Sequence, residues 1–429
     1  MKTRKSLVFI GLLSMITLNV ISSQVSINND GSSPDASSVL DVKSTSKGVL
    51  IPRLSQSERD AIIMPAHSML IYQTDQNSGY YFNQGSAASP AWVMLASVED
   101  CESRIPIDSL PYTINESGSY YLTASLTQNS SDNGITIASS NVSLDLNGNS
   151  LIGDPAFTAS GILLSGTIKS ISIKNGSISN WKNFGLTGST GNNISLIALN
   201  FSDNSYDGAF LGSGNVISYC TFENNGFDGL DVENNNVIKH CVFTNNSSDG
   251  LEVENNNSIE SCSSGGNGGD GFQLNNGNVI SLSTAKDNAG DGFHISNDNH
   301  LSQNIADNNT SNGYDLGYNN VVQACRASNN TLSGFKFEEE CSIHNSYARG
   351  NSLHGFYSLD DNSRIENNHS TTNGQKGFEI LGSANLIIKN SSSGNLSLNF
   401  SIGAGNYLGP IITGADVASS TNANSNIQY

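Results

Sequence analysis

The stretch DGLDVENN, residues 228–235, recurs as DGLEVENN at residues 249–256 and more loosely as DGFQLNNG at residues 270–277. Self-similarity at a fixed interval of this length is typical of a solenoid, in which each repeat is one structural unit that stacks on its neighbours. An Asn and a Gly recur in phase with the motif, at a constant step that lengthens by one only near the end. The Asn positions are Asn225, Asn246, Asn267, Asn288, Asn309, Asn330, Asn351, Asn373 and Asn395, and the Gly positions are Gly229, Gly250, Gly271, Gly292, Gly313, Gly334, Gly355 and Gly377.

Each repeat is predicted to contain three short strands. Leu230 and Val232 follow the first Gly two positions apart, a spacing that places both side chains on one face of a strand. Ile217, and the pair formed by Cys220 and Phe222, supply inward positions for two more strands. Three such strands bury too little apolar surface alone, so we predict that they stack in register about 4.8 Å apart into parallel sheets. The predicted fold class is an all-β parallel solenoid, regular from 215 to 395, with coils of roughly 21 to 22 residues.

The same residues recur because each inward side chain must stack on a side chain of the same type in the next coil. Buried Asn side chains can form a hydrogen-bonded ladder from coil to coil, as amides do in stacked β-assemblies. The Gly column is predicted to serve bends that need a positive φ or a close backbone approach. Leucine-rich and ankyrin repeats are the competing solenoids, but no unit shows a 3.6-residue apolar period.

The pattern I-x-x-C-x-F-x-x-N-x-x-x-G-L-x-V at residues 217–232 resembles the coil of right-handed parallel β-helix proteins of the pectate-lyase-like superfamily. Residues 110–153, LPYTINESGSYYLTASLTQNSSDNGITIASSNVSLDLNGNSLIG, are similar to the opening coils of secreted members. The resemblance covers residues 101–429 and implies a right-handed coil. The last residues, GADVASSTNANSNIQY, are polar and small, and we expect a loose tail past the terminal coil.

Residues 24–100 do not share the repeat and are predicted to form a separate small β-rich module. SMLIYQTD and GYYFNQ are predicted to be strands on either side of an Asn-Ser-Gly turn. The segment that contains them resembles N-terminal modules of secreted, surface and tail-fibre-like proteins of the Bacteroidota. The resemblance implies a role in display or assembly.

Residues 1–23 have the order of a secretory signal peptide, with Lys2, Arg4 and Lys5 before an apolar run from Leu7 to Ile21 and small residues after it. This run is shorter than the roughly 20 residues that a membrane-spanning helix needs. We therefore predict a secreted or cell-surface protein without a transmembrane anchor. The formal net charge of −19 disfavours nucleic acid and anionic membrane surfaces as partners.

Four of the six cysteines share one column at coil spacing, namely Cys220, Cys241, Cys262 and Cys325. In an exported protein, cysteines first suggest disulfides. A column that points inward instead predicts a stack of small buried thiols. Cys101 and Cys341 fall outside this column and could pair only if the fold brings them together.

Acidic residues form a further column directly before the Gly column. Coil spacing would place neighbouring carboxylates about 5 Å apart, a repulsion that a divalent cation or a sugar could relieve on an outer face. Turn chemistry is the alternative, because Asp and Asn are favoured before Gly in turns. Calcium is the expected cation. Its predicted ligands are Asp228, Asp249, Asp270 and Asp291, and Asp207 belongs to the same column.

His294 is the residue best placed for catalysis. A His beside carboxylates can act as a general acid or base, and Asp291 lies in its own coil, with Gln273 and Asp315 in the neighbouring coils. The resemblance implies a basic residue that abstracts a proton beside a uronate, usually with calcium. The sequence lacks a clustered Arg and Lys pair and the Gly-His-Gly and Arg-x-Lys elements of polygalacturonases. Aromatic residues are predicted to point mainly inward.

We therefore expect an exported β-helix that acts as a surface or extracellular binding or structural element, with polysaccharide as the expected partner. The alternative is a polysaccharide lyase or glycoside hydrolase acting on the outer face, because hydrolysis needs two carboxylates about 5 to 10 Å apart. Coils of nearly constant length leave little material for groove walls, which favours the binding role. The ligand and the oligomeric state stay open.

Overall fold

The computed structural model describes residues 24–95 and 103–429. The predicted signal peptide, the predicted domain boundary at residue 100 and Cys101 lie outside these residues. The chain divides into two compact units, Met1–Glu102 and Ser103–Tyr429. The described residues contain one α-helix, Gln56–Asp60, and one 3₁₀-helix, Gly414–Asp416, so the predicted all-β class is confirmed. No helix among them is long and apolar enough to cross a membrane.

The first unit holds two small sheets. The strands predicted from SMLIYQTD and GYYFNQ are present, and Leu70–Gln73 runs antiparallel to Gly79–Asn83. Arg53–Leu54 and Trp92–Met94 complete this four-stranded sheet. A separate pair of parallel strands, which we call the N-terminal ribbon, consists of Val25–Ile27 and Leu40–Val42.

The second unit is a parallel β-solenoid, and each of its regular coils contributes three strands. One strand per coil builds a 14-stranded sheet, called sheet A here. Its strands are Tyr112–Ile114, Ile135–Ile137, Ile162–Leu164, Leu186–Gly188, Ala209–Leu211, Leu230–Val232, Leu251–Val253, Phe272–Leu274, Phe293–Ile295, Tyr314–Leu316, Phe335–Phe337, Phe356–Ser358, Phe378–Ile380 and Phe400–Ile402.

The other two strands of each coil build a 28-stranded sheet, called sheet B, which has two columns. Lys169–Ser179 and Asn192–Ser202 run through both columns. The other strands of the first column are Ile105–Ile107, Gly118–Leu122, Val142–Asp145, Val216–Ser218, Val237–Lys239, Ser258–Glu260, Val279–Ser281, His300–Ser302, Val321–Gln323, Ser342–His344, Arg364–Glu366, Leu386–Ile388 and Tyr407–Leu408. Those of the second column are Leu126–Thr127, Ser150–Ile152, Thr221–Glu223, Val242–Thr244, Ser263–Gly265, Thr284–Lys286, Ile305–Asp307, Arg326–Ser328, Tyr347–Arg349, His369–Thr371, Ser391–Ser393, Ile411–Thr413 and Asn426–Gln428.

The predicted Asn ladder is confirmed. Asn267 donates from its side-chain Nδ2 to Asn288 Oδ1 at 2.9 Å and from its backbone N–H to the same oxygen at 3.1 Å. Asn288 in turn donates from Nδ2 to Asn309 Oδ1 at 3.0 Å and to the carbonyl oxygen of Ser264 at 3.3 Å. The ladder thus satisfies buried turn amides that would otherwise lack a partner.

A second Asn ladder, which the sequence analysis did not predict, lies at the turn between sheet A and the first column of sheet B. The backbone N–H of each member before Asn320 donates to the Oδ1 of the Asn in the next coil, as Asn236 does to Asn257 at 2.7 Å. Its members are Asn215, Asn236, Asn257, Asn278, Asn299 and Asn320. The solenoid is therefore held by polar ladders at two turns as well as by its sheets.

The Gly column permits a close backbone approach, which was one of its two predicted roles. None of its described members has a positive φ. A Cβ atom on Gly292 would lie 2.7 Å from the carbonyl oxygen of Gly313, and one on Gly313 would lie 2.6 Å from that of Gly334. The left-handed conformation belongs instead to residues that precede ladder positions, such as Asn245 with φ 57°.

Large and small residues compensate across the core. Phe201, Phe222 and Phe243 stack in the second column of sheet B, with centroids 5.0 and 5.3 Å apart. From Phe272 onwards the aromatic stack continues in sheet A, and small residues such as Ala285 occupy the facing column. Because interiors are packed to near-crystalline density, the large residue can change sides only if the opposite residue shrinks.

The cysteine column is buried, as predicted, and all five described cysteines are free thiols. Cys262 and Cys325 occupy a ladder position at the third turn, since their backbone N–H groups donate to the hydroxyls of Ser283 and Ser346. Cys341 occupies the second Asn ladder and donates from its backbone to Ser363 Oγ at 3.0 Å. Burial raises the pKa of Cys325 to about 11 and that of Cys341 to about 12, which makes both thiols unreactive.

The expectation of a loose C-terminal tail was wrong in part. Asn426–Gln428 returns to pair with Ser391–Ser393 and with Ile411–Thr413. Asn426 is fully buried, and its Oδ1 accepts the backbone N–H of Asn390 at 3.0 Å. The backbone N–H of Asn390 in the last regular coil needs an acceptor, and Asn426 supplies it.

We predict that Asn288→Leu lowers the free energy of unfolding by roughly 1 to 3 kcal/mol, because the buried backbone N–H of Asn267 loses its acceptor. Thermal and urea unfolding measure the change. Asn276→Leu is the matched control, since Asn276 forms an exposed ladder on the outside of the coil. An Asn288→Leu protein as stable as the parent would show that the inner ladder contributes nothing.

Candidate functional site

The outer face of sheet A collects the polar residues that the sequence analysis singled out. One set, the turn column, precedes the strands and consists of Asp207, Asp228, Asp249, Asp270, Asp291, Asn312, Ser333, His354 and Lys376. The other set, the strand column, occupies the middle of each strand and points away from the core. It consists of Phe210, Asp231, Glu252, Gln273, His294, Asp315, Lys336, Tyr357 and Glu379.

The turn-column carboxylates turn towards the backbone rather than into solvent, which corrects the expectation of an outer stripe. Asp228, Asp249 and Asp291 are buried. The Oδ1 of Asp228 accepts the backbone N–H of Asp249 at 2.7 Å, and that of Asp249 accepts the N–H of Asp270 at 2.6 Å. Asp side chains commonly bond turn amides in this way. The column is therefore a further ladder, in which carboxylates replace amides.

Burial and mutual repulsion raise the pKa of several carboxyl groups in the turn column and the strand column. Burial, with repulsion from Glu252 and Asp207, raises the pKa of Asp231 to about 8. Burial also raises the pKa of Asp207 to about 7 and that of Asp249 to about 7, although each accepts a backbone hydrogen bond that acts in the opposite direction. These raised pKa values favour the protonated form near neutral pH, so a nearby cation would shift the carboxyl groups towards their ionised form.

In the folded chain, His294 lies next to the acidic residues that were predicted to be its neighbours. Its Nδ1 lies 3.6 Å from Asp291 Oδ2 and 3.7 Å from Asp270 Oδ2, and its strand pairs with that of Asp315. The contact with Asp291 raises the pKa of His294, against the opposing effect of burial. Burial alone would raise the pKa of Asp291, but contacts with His294 and other donors outweigh it and lower that pKa. The pair has the chemistry of a general acid and base.

The surface around His294 is shallow. His294, Asp315, Lys336 and Glu338 line a pocket of about 270 Å³, which is smaller than the roughly 300 to 1,000 Å³ typical of small-molecule sites. Lys336 Nζ lies 2.9 Å from Asp315 Oδ2, so the Asp315 carboxylate is already paired. The arrangement suits contact with an extended chain better than enclosure of a small substrate.

A second polar cluster lies further along the same face. His354 is buried, and its Nε2 lies 2.9 Å from Glu379 Oε2, while Lys376 contacts the other oxygen of Glu379. The His354 ring stacks on Tyr357 at 5.1 Å between centroids. Burial lowers the pKa of His354. Glu379 therefore has two basic partners on this part of the face.

A group of outward aromatic residues that was not predicted from the sequence forms what we call the aromatic patch: Phe184, Tyr206, Phe210 and Phe227. Tyr206 and Phe227 stack with their rings nearly parallel at 5.6 Å, and they are 46% and 53% exposed. Phe184 contacts Tyr206 at 5.5 Å and Phe210 at 6.0 Å. The signal that could have revealed the pair is the recurrence of an aromatic residue two positions before the Gly column, at 206 and 227.

The patch adjoins the acidic columns. Tyr206 and Phe227 directly precede Asp207 and Asp228 in the chain, and Phe210 is the register partner of Asp231 in sheet A. An exposed contiguous aromatic surface is a candidate interaction site. An aromatic surface bordered by hydrogen-bond acceptors can hold a ligand that has both an apolar face and polar edges.

Comparison with known families identifies the solenoid. Residues 113–258, 185–320 and 237–365 match the family model described as "Right handed beta helix region", and these matches together span more than half of the chain. The chain belongs to the right-handed β-helix family. The handedness implied by the resemblance is thereby confirmed. Residues 26–109 match a second model, described as "Phage tail like trimerisation region".

Several solved structures resemble this β-helix, and a search of curated proteins found no match. The A-module of the mannuronan C-5 epimerase AlgE4 from Azotobacter vinelandii is 12% identical, with a TM-score of 0.46, and the match covers 71% of this chain and 88% of that chain. A double mutant of the periplasmic alginate epimerase AlgG is 16% identical, with a TM-score of 0.43 and coverage of 71% and 77%. ORF18 of Geobacillus virus E2 is 12% identical, with a TM-score of 0.42 and coverage of 73% and 74%. At these identities the likeness concerns the fold alone.

We predict that Asp231→Asn stabilises the protein at pH 9 and hardly changes it at pH 5. The pKa of Asp231 is about 8 in the folded protein and about 4 in an unfolded chain. Between these values the folded state holds a proton that the unfolded state has released, so stability is lost as the pH rises through the folded pKa. Asn removes this ionisation, and we expect a gain of about 1 to 3 kcal/mol at pH 9, discounted for partial exposure.

Urea unfolding at pH 5 and pH 9 measures this difference. Glu339→Gln serves as the control, because Glu339 is exposed and its neutralisation should have little effect at either pH. An equal effect of Asp231→Asn at both pH values would contradict the assignment of a strained carboxyl to this position.

Proposed function

We propose that this β-helix is exported and binds polysaccharide along the outer face of sheet A. The observation that supports this most is the aromatic patch, which lies exposed beside the acidic columns. A pyranose ring has an apolar face of C–H groups that packs on aromatic rings, and a rim of hydroxyls that donate to carboxylates. The face is open along the solenoid axis, so it suits a long chain.

We predict that Tyr206→Ala combined with Phe227→Ala weakens polysaccharide binding by about tenfold or more, because exposed aromatic anchors dominate such contacts. A panel of immobilised neutral, amine-bearing and anionic polysaccharides, read by retention of the protein, tests this. Tyr219→Ala is the matched control, since Tyr219 is 63% exposed and stacks on His240 at a different turn. Retention that survives the double substitution would place the site elsewhere.

A polysaccharide lyase or glycoside hydrolase is the second candidate function. The specific observation in its favour is the contact of His294 with Asp291 and Asp270. The same panel decides between the two roles when released products are measured. Product release that is abolished by His294→Ala would assign catalysis to this cluster, and retention without products supports the binding role.

Calcium binding by the turn column stays a prediction. Asp228 and Asp249 offer oxygens within 4.8 Å of each other and of Glu252, and Asp270, Asp291 and His294 form a similar group. Each turn-column Asp of these groups uses one oxygen for a backbone N–H, which leaves the second oxygen for a cation. Calcium takes six to eight oxygen ligands, so water or ligand hydroxyls would have to complete its shell.

The first unit is proposed to assemble the protein as a homotrimer, a role supported by the match to the trimerisation model. The N-terminal ribbon adds a physical reason. Val25, Ile27, Leu40 and Val42 share one face of the ribbon and are between 40% and 58% exposed. A two-stranded sheet is only marginally stable alone, and an apolar face open to water costs free energy. Burial of this face against the same face of two further copies removes both problems. A likeness to modules of Bacteroidota surface proteins stays a prediction.

We predict that Ile27→Lys converts a trimer into monomers, because three ammonium groups would meet in the apolar seam. Light scattering coupled to size-exclusion chromatography measures the mass. Ser46→Lys adds the same charge at an exposed position of the same unit and should leave the trimer intact. A parent protein that is monomeric at micromolar concentration would contradict the proposal.

A further inference from the structure

We infer that the polysaccharide bound by this face carries free amino groups, with its rings on the aromatic patch and its ammonium groups at Asp231, Glu252 and the neighbouring carboxylates. This inference rests on the proposed function and adds the chemical class of the ligand. It follows from an imbalance of charge between two parts of the outer face of sheet A.

The part beside the aromatic patch has acidic groups without basic partners. From residue 201 to residue 256 the only Lys or Arg is Lys239, and its Nζ lies 2.8 Å from Glu260 on sheet B. The donors to the acidic groups of this part are neutral, as with Gln273 Nε2 to Glu252 Oε1 at 2.9 Å. These acidic groups of sheet A and its adjoining turns, which we call the acidic segment, are Asp207, Asp228, Asp231, Glu233, Asp249, Glu252 and Glu254.

In the later part of the same face, the turn-column and strand-column carboxylates have basic neighbours from the protein itself, whereas Glu338 has no ion pair with a described residue. Lys336 pairs with Asp315, Lys376 and His354 both contact Glu379, and His294 lies beside Asp291 and Asp270. Both parts share one backbone geometry, so the coil permits a basic residue at these positions. Its absence from the acidic segment leaves room for a cation that comes from the ligand.

The aromatic patch decides what kind of cation fits. Ammonium groups are attracted to the faces of Tyr and Phe rings, and nearby carboxylates attract the same groups through charge-assisted hydrogen bonds. The exposed rings of Tyr206 and Phe227 directly precede Asp207 and Asp228. The rings supply no oxygen ligand for a hard metal ion, and a polyuronate would be repelled by the carboxylates. An amine-bearing sugar chain satisfies both features at once.

The raised pKa of a carboxyl group in the acidic segment also favours a ligand that carries ammonium groups. The pKa of Asp231 is raised to about 8 by burial and by repulsion from other carboxylates. An ammonium group within hydrogen-bond distance would replace repulsion by attraction and return the carboxyl to its ionised form. Ligand binding should therefore be coupled to the ionisation of the acidic segment.

The test compares three short oligosaccharides by calorimetry at pH 7 and about 0.15 M salt, where long-range attraction is screened. The probes are a tetramer of β-1,4-linked glucosamine, its fully N-acetylated counterpart and an oligomer of a uronic acid. We expect the amine-bearing tetramer to bind about tenfold or more tightly than the N-acetylated one, since charge-assisted hydrogen bonds are the stronger ones. The uronic acid oligomer should not bind.

Two double variants separate local recognition from overall charge. Asp231→Asn with Glu252→Gln should abolish the preference for the amine, while Glu339→Gln with Glu340→Gln replaces two carboxyl groups at exposed positions and should retain it. Thermal melts establish that each variant is folded. Equal losses in both double variants would show unspecific attraction and overturn the inference.

The remaining outcomes distinguish this inference from the proposed function. Equal binding of the amine-bearing and N-acetylated tetramers, lost in Tyr206→Ala with Phe227→Ala, would keep a polysaccharide site and overturn the preference for amines. Tighter binding of the uronic acid oligomer would also overturn that preference. No binding of any probe by the parent protein would contradict the inference and leave the panel of polysaccharides to decide the proposed function.

Discussion

The solenoid depends on one requirement, that the buried backbone amides at its turns find acceptors in the next coil. Asn side chains meet it at two turns, as when Asn288 Oδ1 accepts both the backbone and the side-chain N–H of Asn267. Ser and Asn side chains meet it at the third turn. An unpaired buried amide costs free energy comparable to a lost hydrogen bond, and the cost recurs in every coil. The ladder therefore fixes the register of neighbouring coils, and with it the nearly constant length of the repeat.

The register that the inner ladders fix also determines how the outward side chains align from coil to coil. Once Gly229 and its counterparts stack closely, the residue before each Gly and the residue two positions after it must form straight columns on sheet A. The packed interior leaves little freedom of residue type, whereas these outer columns vary from aromatic to acidic to basic along the axis. Function can thus change along one face without disturbing the fold.

The repeat was enough to predict the fold, the inward Asn225 column and the buried thiols, because in-phase periodicity reports directly on stacking. It did not reveal the second ladder, since Asn236 lies in a run of three Asn residues where the inward position has no distinct signal. An Asp before Gly looks the same whether it faces solvent or bonds a turn amide, so the burial of Asp228 and Asp249 was missed. The aromatic patch draws Phe184, Tyr206 and Phe210 from different positions of coils outside the regular repeat, and only the folded chain brings them together.

A crystal structure of the protein with a bound oligosaccharide would show whether a sugar chain lies on the outer face of sheet A. We expect a sugar ring stacked on Tyr206 or Phe227, with a polar group of the next sugar within hydrogen-bond distance of Asp231. Sugar bound to sheet B or to the first unit, with this face unoccupied, would contradict this expectation.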